Sequence, residues 1–424
     1  MKIYMIGIGG IGMSALAQLY LARGDEVSGS DRESGPTTEM LEKLGIQISY
    51  GQKVAKMPGD TDLVIYSDAI PESHVERAQA RELRKNQKSY FEALGDVSRK
   101  MTAIAVSGTH GKTTTTAMLT KILKDGGKNP TAVIGSLIKD FGSNFVSGDP
   151  QLFVVEACEY RDHLLELSPK ILIITNVEWD HTDWFHTESD MVATFHKAAL
   201  KVPADGYIVA NVGGKNMSAV LDGVAATVVD YTKEDVPELK LIGEFNKMNA
   251  RAAIAAAKAF APDLANTIIY DSVSSFQGSW RRFEYKGRSK TGAEVYDDYA
   301  HHPTAVRETI HGIRQKFPGK KVVVAFHPHL YSRTRDLMAE FARAFDGADR
   351  VLLAPIYAAR EAPLEGVSSE VLEARIAAER PGLAAALPTF DTIQETLERE
   401  SDPDTIIVTM GAGDIYKVDD RLVA

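Results

Sequence analysis

The sequence predicts an α/β protein of three domains in series, each built on a largely parallel sheet. Strand-like apolar runs alternate with helical segments from end to end. Two glycine-rich turns, Gly7–Gly12 and Gly108–Gly111, each follow an apolar β-branched run and open a helical segment. That is the order of a βα unit that receives phosphate. Length agrees, because 424 residues suffice for about two to four domains with their own cores.

Taken in order, Lys2–Ile8 reads as a strand, followed by a glycine turn and an apolar helix through Leu21. Asp62–Tyr66 is a further strand of the same domain, and the polar stretch Arg84–Lys88 with the residues on to Lys100 reads as a linker. A second domain begins at the strand Met101–Val106, and Ala117–Leu123 shows helical apolar spacing. Leu152–Glu156 and Ile171–Thr175 look like buried strands, and the Ala-rich helix Ala250–Ala261 closes the domain. The third domain starts near Gln277–Phe283 and holds the strands Lys321–Phe326, Val351–Ile356 and Thr405–Met410. Boundaries are expected at 1–98, 99–277 and 278–424.

Composition narrows the class. Apolar content of 44% and charge of 25% describe an ordinary globular chain, and a formal charge of −10 offers no basic face for nucleic acid. The single cysteine, Cys158, excludes an intramolecular disulfide and a cysteine metal cluster. Met1 runs directly into a strand pattern rather than a signal peptide, and no apolar run approaches the roughly 20 residues of a membrane span. A cytoplasmic protein without nucleic-acid or membrane partners is expected.

The second glycine turn carries the strongest chemical signal. In Val106-Ser-Gly108-Thr109-His110-Gly111-Lys112-Thr113-Thr114-Thr115, backbone N–H groups and a helix N-terminus face an anion. Lys112 supplies a mobile positive charge, and the Thr113 hydroxyl suits a magnesium ion. Val106 stands where a full P-loop has glycine, so the motif is a shortened one. ATP or GTP is the expected ligand. The first turn, Gly7-Ile-Gly9-Gly10-Ile11-Gly12, has Asp31 downstream at the spacing of a carboxylate that holds a ribose hydroxyl. It predicts a diphosphate, not nicotinamide in particular. Two nucleotides, or one nucleotide and a nucleotide-linked substrate, are therefore required.

Other candidates sit after strand ends, where ligands of open α/β sheets bind. Glu156 is the carboxylate expected on magnesium, while chemistry alone leaves His181 open because imidazole is an unusual magnesium ligand. Glu159 is expected to be structural and Cys158 a small buried hydrophobe. In the last third, Arg281 and Arg282, then Asp298, His301 and His302, then His327, His329 and Arg333 cluster after strands. Arginines clamping phosphate or carboxylate fit this set better than zinc, which needs three or four converging ligands.

These residues, in order, resemble the Mur ligases of peptidoglycan synthesis. The resemblance runs nearly end to end. It rests on Gly7–Ser14, Ser107–Thr115, Glu156–Arg161, Thr175-Asn176 with Asp180-His181, Phe276–Phe283, Asp297–Pro303, Ser332–Asp336 and Gly411-Ala-Gly413. It implies a Rossmann-like N-terminal domain for a UDP-sugar, a central P-loop ATPase-type domain and a Rossmann-like C-terminal domain for an amino acid. The implied reaction joins L-alanine to the lactyl carboxylate of UDP-N-acetylmuramate through an acyl phosphate, with ATP and Mg²⁺. The ligase that attaches a preformed tripeptide to the same sugar is the alternative within the family.

By the same resemblance, Gly108, Thr109, His110, Gly111, Lys112, Thr113, Thr114, Asn246, Asn249, Arg282 and Asp298 meet ATP, and Thr113, Glu156 and His181 hold the metal. Gly9, Gly10, Ile11, Gly12, Met13, Asp31, Ser67, Asn176 and His181 fall to the UDP-sugar. Tyr299, His301 and Arg333 fall to the amino acid. Lys112, Glu156, His181, Arg282, His301 and Arg333 form the implied catalytic set. Departures are Phe245 where histidine is common, Leu330 where some members carry arginine, and a Pro71–His74 turn without the usual Asn-Pro. A monomer or weak homodimer is expected.

Overall fold

The structure is a computed structural model and describes residues 1–51 and 57–423. Three sheets follow one another along the chain, as alternating apolar and helical segments dictate. The first contains β1 (Lys2–Ile6), β2 (Glu26–Asp31), β3 (Gln47–Tyr50), β4 (Leu63–Tyr66) and β5 (Asn86–Ser89), in the order β3-β2-β1-β4-β5. All its pairings are parallel. The order turns outward on either side of β1, so the glycine turn leaving β1 lies at the switch point where such sheets bind ligands.

The second sheet contains β6 (Thr102–Ser107), β7 (Pro130–Ile138), β8 (Ser143–Val146), β9 (Asp149–Glu156), β10 (Ile171–Ile174), β11 (Tyr207–Ala210) and β12 (Thr227–Asp230). Its order is β12-β11-β10-β6-β9-β7-β8, parallel except for the β7–β8 hairpin. Ile104, Ala105, Val154, Val155 and Leu172 are fully buried, as expected of strands covered on both faces. The third sheet contains β13 (Glu284–Arg288), β14 (Glu294–Asp298), β15 (Lys321–Phe326), β16 (Arg350–Leu353), β17 (Ala384–Ala386) and β18 (Thr405–Met410). Its order is β13-β14-β18-β15-β16-β17, with only β13–β14 antiparallel.

Two expectations change. Arg84–Lys100 is no linker: it contributes the edge strand β5 and the helix Tyr90–Ser98, whose Ser89 and Glu92 form a capping box. The polar residues that suggested a linker belong to a half-exposed edge strand. The Ala-rich helix is longer than its apolar spacing indicated, running Glu244–Phe260.

The chain divides into two compact units. One comprises Met1–Val177, Met191–Pro237 and Asn249–Phe276; the other comprises Glu178–Asp190, Glu238–Met248 and Gln277–Ala424. Within the first unit, Asn144 on β8 ties the central sheet to the helix Ile11–Ala22. It is fully buried and donates to the Ile11 carbonyl at 2.5 Å and to Ser14 Oγ at 3.0 Å. No described helix is long and apolar enough to cross a membrane.

Candidate active site

The turn after β6 takes a shape that only glycine supplies easily. Gly108 has φ +130° and Gly111 has φ +83°. A Cβ at Gly108 would stand 2.0 Å from Thr175 Oγ1, and one at Gly111 would stand 2.1 Å from Asn249 Oδ1. The end of β10 grips this turn. Thr175 Oγ1 reaches the His110 carbonyl at 2.5 Å, Asn176 Oδ1 accepts from the His110 N–H at 2.9 Å, and Asn176 Nδ2 donates to the His110 carbonyl at 3.1 Å. Asn176, grouped with the UDP-sugar by resemblance, thus directs its amide to the phosphate turn.

Gly111 caps the helix Lys112–Asp125. Lys112 Nζ is folded back on the turn, donating to the carbonyls of Gly108 at 2.5 Å and Thr109 at 3.1 Å. It also pairs with Glu159 at 2.9 Å, a carboxylate with no exposed side-chain surface. Burial is the largest single influence and would lower the lysine pKa; the charge and hydrogen bond of Glu159, joined by Cys158 and Glu156, together outweigh it and hold the pKa above the ordinary value. Glu159 was expected to be only structural. The structure makes it the counter-ion of Lys112.

Glu156, at the end of β9, accepts from Thr113 Oγ1 at 3.0 Å and from the Gly135 N–H at 2.8 Å. A hydroxyl and a carboxylate in contact at a helix N-terminus form the donor set that magnesium favours. His181 lies in the segment that packs with the second unit, where its φ is +51° and its N–H donates to Asp180 Oδ1 at 2.7 Å.

The turn after β1 is supported by one carboxylate. Asp31, at the end of β2, accepts from the Gly9 N–H at 2.7 Å and the Arg32 N–H at 2.7 Å. The helix Ile11–Ala22 starts after Gly10 with neither a side-chain cap nor an acid in its first turn, so its N–H groups are open to an anion. Gly10, Ile11, Gly12, Met13 and Ser67 line a cavity of about 350 Å³ together with Gly135, Glu156 and Cys158. The first glycine turn and the metal-suited carboxylate therefore open onto one space. Asp68 and Phe91 also line it, and His163 stacks on Phe91 at 3.7 Å and pairs with Asp68 at 2.5 Å. Neither Asp68 nor His163 belongs to a motif the sequence singled out. Cys158 is half-buried rather than enclosed, and its thiol is pushed up to about 12 by burial and then by Glu159.

In the second unit, Arg333 is 2% exposed and donates Nε to Asp180 Oδ1 at 2.7 Å. One terminal nitrogen lies 2.9 Å from His329 Nδ1. A guanidinium cannot accept, so His329 Nδ1 is the acceptor and its proton sits on Nε2. His301 Nδ1 faces the Tyr299 carbonyl at 2.9 Å and donates to it, leaving the Nε2 lone pair available. Burial and then the charge of Arg333 hold the His301 pKa well below the imidazole range and push His329 down to about 3. Both rings are neutral near pH 7. Asp180, which no motif assigned a partner, is held well below the carboxylate range; burial opposes this, but Arg333 and neighbouring histidines prevail.

Asp298 accepts from the N–H groups of Phe283 and Ala300, each at 2.7 Å, and burial pushes it up to about 6. The Arg282 guanidinium lies over the Tyr299 ring at 5.0 Å. Asn246 and Asn249 share the helix Glu244–Phe260; Asn249 abuts Gly111, and Asn246 Nδ2 donates to the Ile242 carbonyl at 2.7 Å. His302 caps the helix Pro303–Lys316 and reaches the Trp179 carbonyl at 3.2 Å, which gives it a structural task.

Three family models match in sequence order: the Mur ligase family catalytic domain over residues 2–102, the Mur ligase middle domain over 106–237, and the Mur ligase glutamate ligase domain over 281–413. The chain belongs to the Mur ligase family. A UDP-N-acetylmuramate–L-alanine ligase of Desulfitobacterium hafniense is 38% identical, covering 100% of this chain and 99% of that protein. One of Salinibacter ruber is 36% identical over 100% of this chain and 94% of its own length. Among solved structures, the UDP-N-acetylmuramate–alanine ligase of Thermotoga maritima superposes with a TM-score of 0.81 at 28% identity, covering 100% of this chain and 98% of that one. This Mur ligase therefore has the family's three α/β domains and its dependence on ATP.

Proposed function

We propose that this Mur ligase joins L-alanine to the lactyl carboxylate of UDP-N-acetylmuramate, with ATP converted to ADP and phosphate. The single observation that supports it most is the shared cavity. A diphosphate-type glycine turn and the carboxylate beside the ATP turn face the same 350 Å³ space, so a nucleotide-linked acid held by one turn reaches the phosphate held by the other. Domain boundaries at 1–98, 99–277 and 278–424 and a monomer or weak homodimer belong to this reading.

A carboxylate is a poor electrophile, and phosphorylation gives it a leaving group. The lactyl carboxylate attacks the γ-phosphate, ADP departs, and the alanine amine attacks the acyl phosphate to expel phosphate. Positioning and charge neutralisation do most of the catalysis. Lys112 turns from the carbonyls of Gly108 and Thr109 toward the β- and γ-phosphates, and the N–H groups of the turn cradle them. Thr113, Glu156 and His181 are the residues proposed to hold Mg²⁺, which when bound neutralises phosphate charge. Asn246, Asn249 and Asp298 are assigned to the nucleoside, and Arg282 to phosphate. Tyr299, His301 and Arg333 are assigned to the amino acid, with the neutral His301 Nε2 able to take a proton from the attacking amine.

The test is phosphate release from ATP and Mg²⁺ with UDP-N-acetylmuramate, titrating L-alanine against the murein tripeptide. Turnover that requires both the sugar and L-alanine is expected. Turnover with tripeptide alone would replace the alanine reading by the peptide-adding one, and ADP formation without any amine would contradict ligation.

A further inference from the structure

Next in sequence to Arg282 and Asp298 lie two members of a buried polar chain that the reaction above does not use. Arg281 is 3% exposed, and Asp297, Thr409 and Asp419 are fully buried. Arg281 donates Nε to Asp297 Oδ2 at 2.8 Å and a terminal nitrogen to Asp297 Oδ1 at 3.3 Å. Its terminal nitrogens also donate to the carbonyls of Gly411 at 2.7 Å and Gly413 at 3.0 Å. The backbone at Arg281 is left-handed, with φ +58°, which a side chain of this size adopts only when its surroundings impose it. Glu284 accepts its N–H at 3.0 Å, and its carbonyl accepts from the Tyr299 N–H at 2.7 Å. The next residue is Arg282, and the residue after Asp297 is Asp298, so both ATP assignments hang on this chain.

The far end of the chain carries the information. Thr409 Oγ1 lies 3.3 Å from Asp297 Oδ1 and 2.9 Å from Asp419 Oδ2. A hydroxyl has one hydrogen, so it cannot donate to two carboxylates. One of the two contacts needs a hydrogen from a carboxyl group. Asp297 has a guanidinium on both oxygens, whereas Asp419 forms no ion pair among the described residues and its Oδ1 finds no hydrogen-bond donor there. The second hydrogen therefore belongs on Asp419 Oδ2.

We propose that Asp419 acts as a protonated acid that donates to Thr409, which donates to Asp297, and that this relay positions Arg281 and through it Arg282 and Asp298 for ATP. The relay rests on the ligase reading only for what it positions. Burial and then the charge of Asp297 push Asp419 up to about 8, against Thr409, Lys286 and Arg281, which favour ionisation. Above that pH two carboxylates face one hydroxyl and the Asp297–Arg281 fork loosens. The sign for stability follows: the native state keeps a proton that the unfolded chain releases near its ordinary value of 3.8, so stability falls as pH rises from about 4 to about 8.

The test compares wild type with Asp419→Asn, whose amide donates as the protonated acid does but does not titrate, and with Asp419→Leu, which cannot donate. The wild-type KM for ATP is expected to rise several-fold between about pH 7 and about pH 9, Asp419→Asn to show no such rise, and Asp419→Leu to have a raised KM at both values. An equal alkaline rise in wild type and Asp419→Asn, or an Asp419→Asn enzyme as impaired as Asp419→Leu, would overturn the relay. Thermal stability against pH gives a readout independent of turnover: the decline from about pH 5 to about pH 8 should flatten in Asp419→Asn. An unchanged slope would also overturn it, whereas absent ligase turnover in wild type would sink the functional reading alone.

Discussion

The turns after β1 and β6 are built alike: each leaves a central parallel strand, opens a helix, and is braced by the end of a neighbouring strand. The braces differ in kind. Asp31 holds the first turn through the Gly9 N–H, and no cation lies in that turn. The second turn is gripped by the uncharged Thr175 and Asn176 and carries Lys112, itself held by Glu159, beside the Thr113–Glu156 pair. Backbone N–H groups and a helix dipole are enough to bind a diphosphate that does not react. When a phosphate is transferred, charge spreads over its oxygens and builds on the departing ADP, and only the second turn has a mobile cation and a metal-suited acid to meet it. On the proposed reading, the first turn binds and the second carries the chemistry.

The largest effect should come from removing the mobile charge. Lys112→Ala is expected to lower kcat by on the order of a thousandfold with a native circular-dichroism spectrum, since one preorganised charge at a reacting phosphate is worth that much. Residual activity near wild type would erase the distinction between the turns. Removing the counter-ion is the gentler version. Glu159→Gln keeps a hydrogen-bond acceptor for Lys112 but not the charge, and should lower kcat/KM for ATP by about tenfold to a hundredfold. An unchanged kcat/KM would mean that Lys112 needs no electrostatic holder.

The three-sheet plan was legible because apolar β-branched runs alternate with helical spacing, and β15 and β18 lie at Lys321–Phe326 and Thr405–Met410 as read. Both glycine turns were legible because their function is a local backbone shape. The polar edge strand β5 was not, since its residues carry no apolar period. Partners separated by long stretches of chain were equally hidden. Glu159 meets Lys112 across 47 residues, Asp180 meets Arg333 across 153, and Arg281 meets the Gly411 carbonyl across 130. A carboxylate in a sequence does not announce which cation it will neutralise; only the fold brings the two together.

The division of labour is tested most directly at Gly9. Its Cβ position lies 2.6 Å from Thr38 Cγ2 and 2.9 Å from Asp31 Oδ2, so Gly9→Ala must displace the first turn from its brace while leaving Lys112 and Glu156 untouched. Steady-state kinetics with each substrate varied in turn should show the KM for UDP-N-acetylmuramate raised by about tenfold and the KM for ATP unchanged. Equal rises in both, or a rise for ATP alone, would contradict the assignment of the first turn to the sugar diphosphate.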